Sequence, residues 1–199
     1  MKRPLHRLLR VVAIVGAIAL LDACSSLPGA DTPKEYLDEA TAATIDVVGR
    51  PLIFAHERPE IAAHVRDYVT LAAASVNRGG KIDYVLVTYF WSTLDKSDRR
   101  SVTPSNDGLV IAADDRRIRP TSQGLSAREA GIGFAVHAPP GRRAAPQVYG
   151  TDLETLRFFA ESRHLAILTG ADDAPVSYDI WEDRRAALRT FVNQLGGGR

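Results

Sequence analysis

The sequence has one cysteine, one methionine and few aromatic residues, 7% of the chain. A single cysteine, Cys24, excludes any intrachain disulfide. The longest uncharged apolar stretch, Val11 to Leu21, is eleven residues long. A membrane-spanning helix needs about 20, so a single-span anchor fits poorly. No block of like charge occurs, and the formal net charge is only +1. That balance points to no strongly charged partner and gives no footprint for nucleic acid.

Motifs that carry chemistry are also missing. No Gly-x-x-x-x-Gly-Lys-Ser/Thr phosphate loop is present, and Gly131-x-Gly133 precedes an expected strand, not a helix. No Gly-x-Ser-x-Gly elbow occurs, and Ser75, Ser92, Ser105 and Ser126 lie in no recognisable nucleophile context. His56-Glu57-Arg58-Pro59-Glu60-Ile61-Ala62-Ala63-His64 is not a zinc-protease helix, because Pro59 intervenes and the second His stands eight residues on. A site assembled from His56, His64, His137 and His164 would need folding to bring them together. Asp114-Asp115 and Asp172-Asp173 are paired carboxylates within expected turns, where Asp is favoured for bonding its own backbone. The sequence therefore predicts no catalytic residue, no metal site and no cofactor.

What is present begins at the N-terminus. Lys2, Arg3, Arg7 and Arg10 precede the apolar run with no acid among them, and Asp22 ends it. A basic segment followed by a short apolar one is the order of a secretory signal. Leu21-Asp22-Ala23-Cys24 closes that signal. This tetrapeptide resembles the lipobox of bacterial lipoproteins, with Leu21, Ala23 and Cys24 at the matching positions and Asp22 where the family has a small or apolar residue. The resemblance implies cleavage between Ala23 and Cys24. It also implies a thioether-linked diacylglycerol on Cys24 and an acyl chain on the new amino group. Two or more chains hold a protein on a bilayer stably, where one holds it marginally. Ser25 and Ser26 follow the cysteine. In the family this favours the outer membrane, facing the periplasm, over the inner membrane.

Residues 1–23 thus read as a signal, 24–34 as a lipidated tether rich in Ser, Pro and Gly, and 35–199 as one β-rich domain. Four bases and one acid fall in residues 1–23, so the remainder of the 25 basic and 24 acidic side chains leaves a net charge of −2. A body free of other cysteines suits an oxidising envelope.

Along the domain, short β-prone runs alternate with turn signals. Strands are expected at 44–48 and 52–55. A hairpin is expected from 66–76 and 82–91 around Asn77-Arg78-Gly79-Gly80-Lys81. In its second arm both faces are apolar, which predicts a central strand covered on both sides. A second hairpin is expected from 109–113 and 117–119. Ile132–His137 reads as a further strand with 145–149 as its partner. Thr151-Asp152-Leu153-Glu154 fits a capping box with Thr151 as N-cap, opening a helix through Leu153, Leu156 and Ala160. A third hairpin, 164–168 with 176–181, precedes a second helix from about Arg184 to Leu195. Ala187, Leu188, Phe191, Val192 and Leu195 form its stripe, and Gly196-Gly197-Gly198 stops it. The expected fold class is α+β: a mostly antiparallel sandwich or curved sheet with two helices, both in the C-terminal half, packed on it. The closing helix–hairpin–helix resembles the ends of small periplasmic modules, and the body resembles Gram-negative envelope lipoproteins.

The function these features imply is a lipid-anchored, non-enzymatic binding or scaffold domain with an envelope protein partner. Two alternatives stand beside it. One is an accessory or pilot lipoprotein of a secretion or surface-assembly system, using an exposed strand edge. The other is an envelope hydrolase whose histidines and acids converge in one pocket. Tyr89-Phe90-Trp91 could line a groove or fill the core, and Lys96, Arg99 and Arg100 read as a solvated loop.

Overall fold

The structure, a computed structural model, describes residues 29–94, 109–122, 127–139 and 144–197. Eleven strands lie among them: β1 Lys34–Asp38, β2 Ala43–Val47, β3 Leu52–Glu57, β4 Arg66–Arg78, β5 Lys81–Ser92, β6 Val110–Ala113, β7 Arg116–Ile118, β8 Thr121–Ser122, β9 Gln147–Thr151, β10 Leu165–Thr169 and β11 Val176–Glu182. Two helices, α1 Leu153–Glu161 and α2 Arg185–Gly196, complete the set. The strands form one open sheet in the order β7-β6-β10-β11-β3-β4-β5-β9-β8, with β1 and β2 branching from β4. Every strand pair is antiparallel. This is the curved-sheet form of the α+β class. Among the described residues no helix is long and apolar enough to cross a membrane.

The organising element is the long hairpin of β4 and β5, paired from Asp67↔Ser92 to Arg78↔Lys81. Gly79 and Gly80 turn it at φ +59° and +91°, values that glycine adopts without a Cβ penalty. On its other edge β4 pairs with two strands in file. Its first half meets β3 from Glu57↔Arg66 to Leu52↔Leu71, and its second half meets β2 from Val47↔Ala74 to Thr44↔Asn77. Between these ladders four residues, Val48 to Pro51, oppose only Ala72 and Ala73. The surplus is an enlarged bulge, which bends a strand and increases its twist. Val48 N–H still donates to Ala73 O at 3.0 Å. Gly49 is buried here, and a Cβ on it would stand 2.5 Å from the Thr32 carbonyl oxygen. Arg50 Nε donates to Asp31 Oδ1 at 2.7 Å, which ties the incoming chain to the same bend.

Both faces of β4 are buried from Asp67 to Val76. The helices cover one face: Phe159 of α1 and Leu188 of α2 border the same apolar pocket as Leu52, Leu71, Ala73 and Leu86. The α2 arginines also close the C-terminal end of α1. Arg189 donates to Ala160 O at 2.9 Å, and Arg185 donates to the carbonyls of Ser162 and Arg163. These bonds satisfy carbonyls that a helix end leaves without intrahelical partners.

The opposite face is covered by residues 127–139, where the sequence predicts a strand. Ile132–His137 makes no ladder. Instead it lies as an irregular plug, with Ala130, Ile132 and Val136 buried. Its backbone groups find other partners. Gly133 N–H donates to Asp38 Oδ2 at 2.6 Å, and Gly131 O accepts from Thr41 Oγ1 at 3.1 Å. A Cβ at Gly131 would meet Val76 Cγ1 at 2.9 Å, so the close approach depends on that glycine. Its expected partner joins the sheet elsewhere, as β9, between β5 and β8.

The cap of α1 also differs from expectation. Thr151 belongs to β9, opposite Tyr84, and a residue held in a ladder is not free to cap. Asp152 is the N-cap: its carboxylate accepts from Thr155 N–H at 2.7 Å and from Thr155 Oγ1–H at 2.9 Å. Asp152→Ala should therefore cost about 1 kcal/mol. Thr151→Val should cost far less, because the buried Thr151 hydroxyl has no hydrogen-bond partner among the described residues. Denaturant unfolding of both variants checks this ranking.

Candidate functional site

Cys24, Ala23 and the whole Leu21–Cys24 segment lie outside the described residues, as do Ser105, Ser126, Lys96, Arg99 and Arg100. The remaining candidates can be placed.

The histidines do not converge on one site. His56 on β3 donates from Nδ1 to Ser177 O at 2.9 Å and packs its ring against Tyr178, centroids 5.6 Å apart. His64 sits in the β3–β4 connection at φ +71°. His164 precedes β10, its backbone N–H donating to Asp114 Oδ1 at 2.9 Å. His137, in the plug, hydrogen-bonds through Nε2 to the Val48 carbonyl at 2.6 Å. A carbonyl only accepts, so Nε2 carries the proton. Burial lowers the His137 pKa below its usual value, and nearby Lys34 adds to that; the hydrogen bond to Val48 opposes it. Among the described residues no three His, Cys, Asp or Glu side chains gather as a metal ion would require.

The serines and paired acids have local roles. Ser75 is buried and donates to Asp46 Oδ2 at 3.3 Å, while Ser92 donates to Arg66 O at 3.4 Å. Asp114 accepts two backbone N–H bonds, from Arg163 and His164, both at 2.9 Å. The bond from His164, helped by that from Arg163, outweighs burial and holds its carboxyl below the usual range. Asp172 pairs with Arg119 at 2.5 Å.

A cavity of about 720 Å³ opens at the Gly79–Gly80 end of the long hairpin, between Arg78, Lys81, Asp83, Arg119, Thr121 and the start of α1. Among the described residues its lining contains no histidine, serine or cysteine. Asp83 stands 3.3 Å from Lys81 and 3.8 Å from Arg78. Asp152 is committed to its cap. The described lining thus offers paired charges, Asp83 with Lys81 and Arg78.

The most distinctive surface lies on the plug side of the sheet, near the opposite end of the hairpin. Tyr68 on β4 and Trp91 on β5 are register partners. Their rings stack at 4.2 Å with an interplanar angle of 13°. Trp91 Nε1 donates to Thr70 Oγ1 at 3.0 Å, which fixes the indole. Trp181 sits where the β11–β3 register shifts between Ile180 and Glu182. A bulge re-aims a side chain, and Trp181 is 51% exposed. Its ring stands edge-on to Tyr68 at 6.3 Å, with the Arg66 guanidinium 4.6 Å from its centroid. Glu57 Oε1 accepts from Arg66 Nη2 at 2.8 Å and from Nε at 3.1 Å, holding that cation over the ring. Connecting loops at the same end expose Ile61 and Leu94. Beneath, on the helix side, Tyr178 is pushed up to about 12 by burial and then by the charge of Asp67. Of the Tyr89-Phe90-Trp91 run, Tyr89 and Phe90 belong to the core and Trp91 reaches the platform. Arg66 and Trp181 were not legible as site residues. They come from separate hairpins, and Trp181 owes its exposure to a register shift that no spacing announces.

The half-buried His137, bonded to the Val48 carbonyl, has a pH consequence. Its pKa is lowered in the fold, so the unfolded chain binds the proton first. The stability it contributes is present above about pH 6.5, the ordinary histidine value. It is lost as pH falls toward the lowered value. His137→Asn keeps a donor and suits φ +50°, and it should remove this step. Thermal unfolding from pH 8 to pH 5 checks it; superimposable pH profiles for the two proteins would contradict it.

No family model, no curated protein and no solved structure matches this chain.

Proposed function

We propose that the chain is the precursor of an outer-membrane lipoprotein, cleaved before Cys24 and acylated on it. Its β-rich domain faces the periplasm and binds an envelope protein through the surface around Trp181. The observation that carries the anchor is Leu21-Asp22-Ala23-Cys24 at the end of an apolar run too short to span a bilayer. Diacylglycerol and an N-linked acyl chain on Cys24 supply the hold on the lipid bilayer. The binding reading is supported by Trp181, Tyr68, Trp91 and Arg66, the residue types in which binding hot spots are enriched. They sit on a rigid sheet, where a partner meets preorganised rings.

One experiment in two arms tests the reading. Intact mass and fatty-acid labelling of envelope fractions should show acylated wild-type protein, and Cys24→Ala should carry no lipid and remain unprocessed or leave the membrane. Crosslinking in the same cells should capture one reproducible envelope protein with wild type. Trp181→Ala should lose that product while keeping its melting temperature. Lipid on the Cys24→Ala chain would refute the anchor, and an undiminished crosslink with Trp181→Ala would refute the binding surface.

A further inference from the structure

The reach of the tether decides which part of the domain meets the membrane; this inference rests on the anchor proposed at Cys24. The incoming chain is fixed to the body early. Thr32 N–H donates to Gly29 O at 2.9 Å, Asp31 pairs with Arg50 at 2.7 Å, and buried Gly49 lies directly beneath Asp31 and Thr32. Only seven residue steps lead from Cys24 to Asp31. Fully extended, they reach about 25 Å. A lipid on Cys24 therefore keeps Asp31, and β1 three residues beyond it, close to the bilayer surface.

The edge brought there suits such a surface. β1 pairs with β2 along one side, and among the described residues no strand lies along its other side. An unpaired strand edge is a liability unless something covers it. Leu37 is 72% exposed and Tyr36 is 38% exposed. Successive side chains of a strand point to opposite faces, so the two flank the bare edge. Tyr36 packs against Phe134 at a centroid distance of 4.7 Å, leaving its outer part in solvent. Tyrosine settles at the headgroup level of a bilayer, where its ring is in apolar surroundings and its hydroxyl stays wet. Lys34 and Glu35 offset one another in charge, so the contact depends on interfacial and apolar side chains more than on anionic lipid.

We infer that the outer edge of β1, with Tyr36 and Leu37, lies against the leaflet that holds the Cys24 lipid. The domain is then oriented as well as tethered, and it presents its remaining surfaces to partners near the membrane.

The test uses the full lipidated chain. The thiol of Cys24 is consumed in the thioether, so Leu37→Cys gives one labelling site, and Arg117→Cys on the far edge strand β7 gives a comparison site. Each is labelled with bimane and reconstituted into phosphatidylethanolamine/phosphatidylglycerol vesicles containing headgroup-nitroxide lipid. The label at position 37 should lose most of its fluorescence, and the label at 117 should keep its detergent intensity. Equal quenching at both sites overturns the inference. So does loss at position 37 that follows protein density instead of nitroxide lipid, since a second copy would then cover the edge. Glu35→Cys provides a second site on the same strand should the first variant fold poorly. Flotation and intact mass separate the two kinds of failure: a chain that carries no lipid refutes the anchor, and a lipidated, floating chain with an unquenched edge refutes the orientation alone.

Discussion

Strand β4 has to satisfy two edges and two faces at once, and the rest of the domain is arranged by how it does so. One edge is taken by β5 over its full length. The other is shared in file by β3 and β2, with four residues set against two where they meet. That mismatch divides the sheet. Among the described residues only β1 lies beyond β2, while beyond β3 the sheet continues through β11, β10, β6 and β7. The Val48–Pro51 bend thus separates the limb that receives the N-terminal segment from the limb that carries Trp181. It tolerates no side chain at Gly49, because Asp31 and Thr32 already occupy that space.

The two covers on β4 differ in kind. The helical cover is mostly apolar and self-contained, with α2 arginines supplying the carbonyl partners that α1 needs. The plug is irregular, and its backbone is satisfied by side chains of the β1–β2 limb, Asp38 and Thr41. Burial works against the Asp38 carboxylate, but hydrogen bonds from Gly133, Ala40 and Thr41 outweigh it and leave its pKa below the usual value. His137 links the plug to Val48 in the bend itself. Plug, bend and N-terminal limb therefore form one connected polar network, and the helices meet the bend through the apolar pocket that Val48 and Arg50 share with Phe159 and Leu188.

Much of this was legible in the sequence because local chemistry and tertiary context agree there. Gly79-Gly80 turns the long hairpin, apolar residues on both faces of 82–91 mark a central strand, and helical spacing through Leu156 and Leu188 marks the covering layer. The failures share a cause. Ile132, Phe134 and Val136 alternate as a strand would, but paired side chains and carbonyls elsewhere outcompete a ladder. Thr151 has the spacing of a cap but is claimed by β9, so Asp152 takes the role. Strand β1, with the polar sequence Lys-Glu-Tyr-Leu-Asp, carries no alternation and forms because β2 offers an edge. The platform around Trp181 depends on residues far apart in the chain, and no motif could have grouped them. The proposed anchor, by contrast, rests wholly on residues 1–24, and no other cysteine competes with Cys24 for the role.

The bend at Gly49 is the point on which this architecture can be judged most directly. Gly49→Ala places a methyl 2.5 Å from the Thr32 carbonyl oxygen and 2.6 Å from the Asp31 carbonyl carbon. Overpacking against backbone should destabilise the domain by about 1–3 kcal/mol. Hydrogen exchange measured with the same variant should show faster opening in β1, β2 and the plug than in β10 and β11. Unchanged stability, or loss of protection spread evenly over both limbs, would contradict the account.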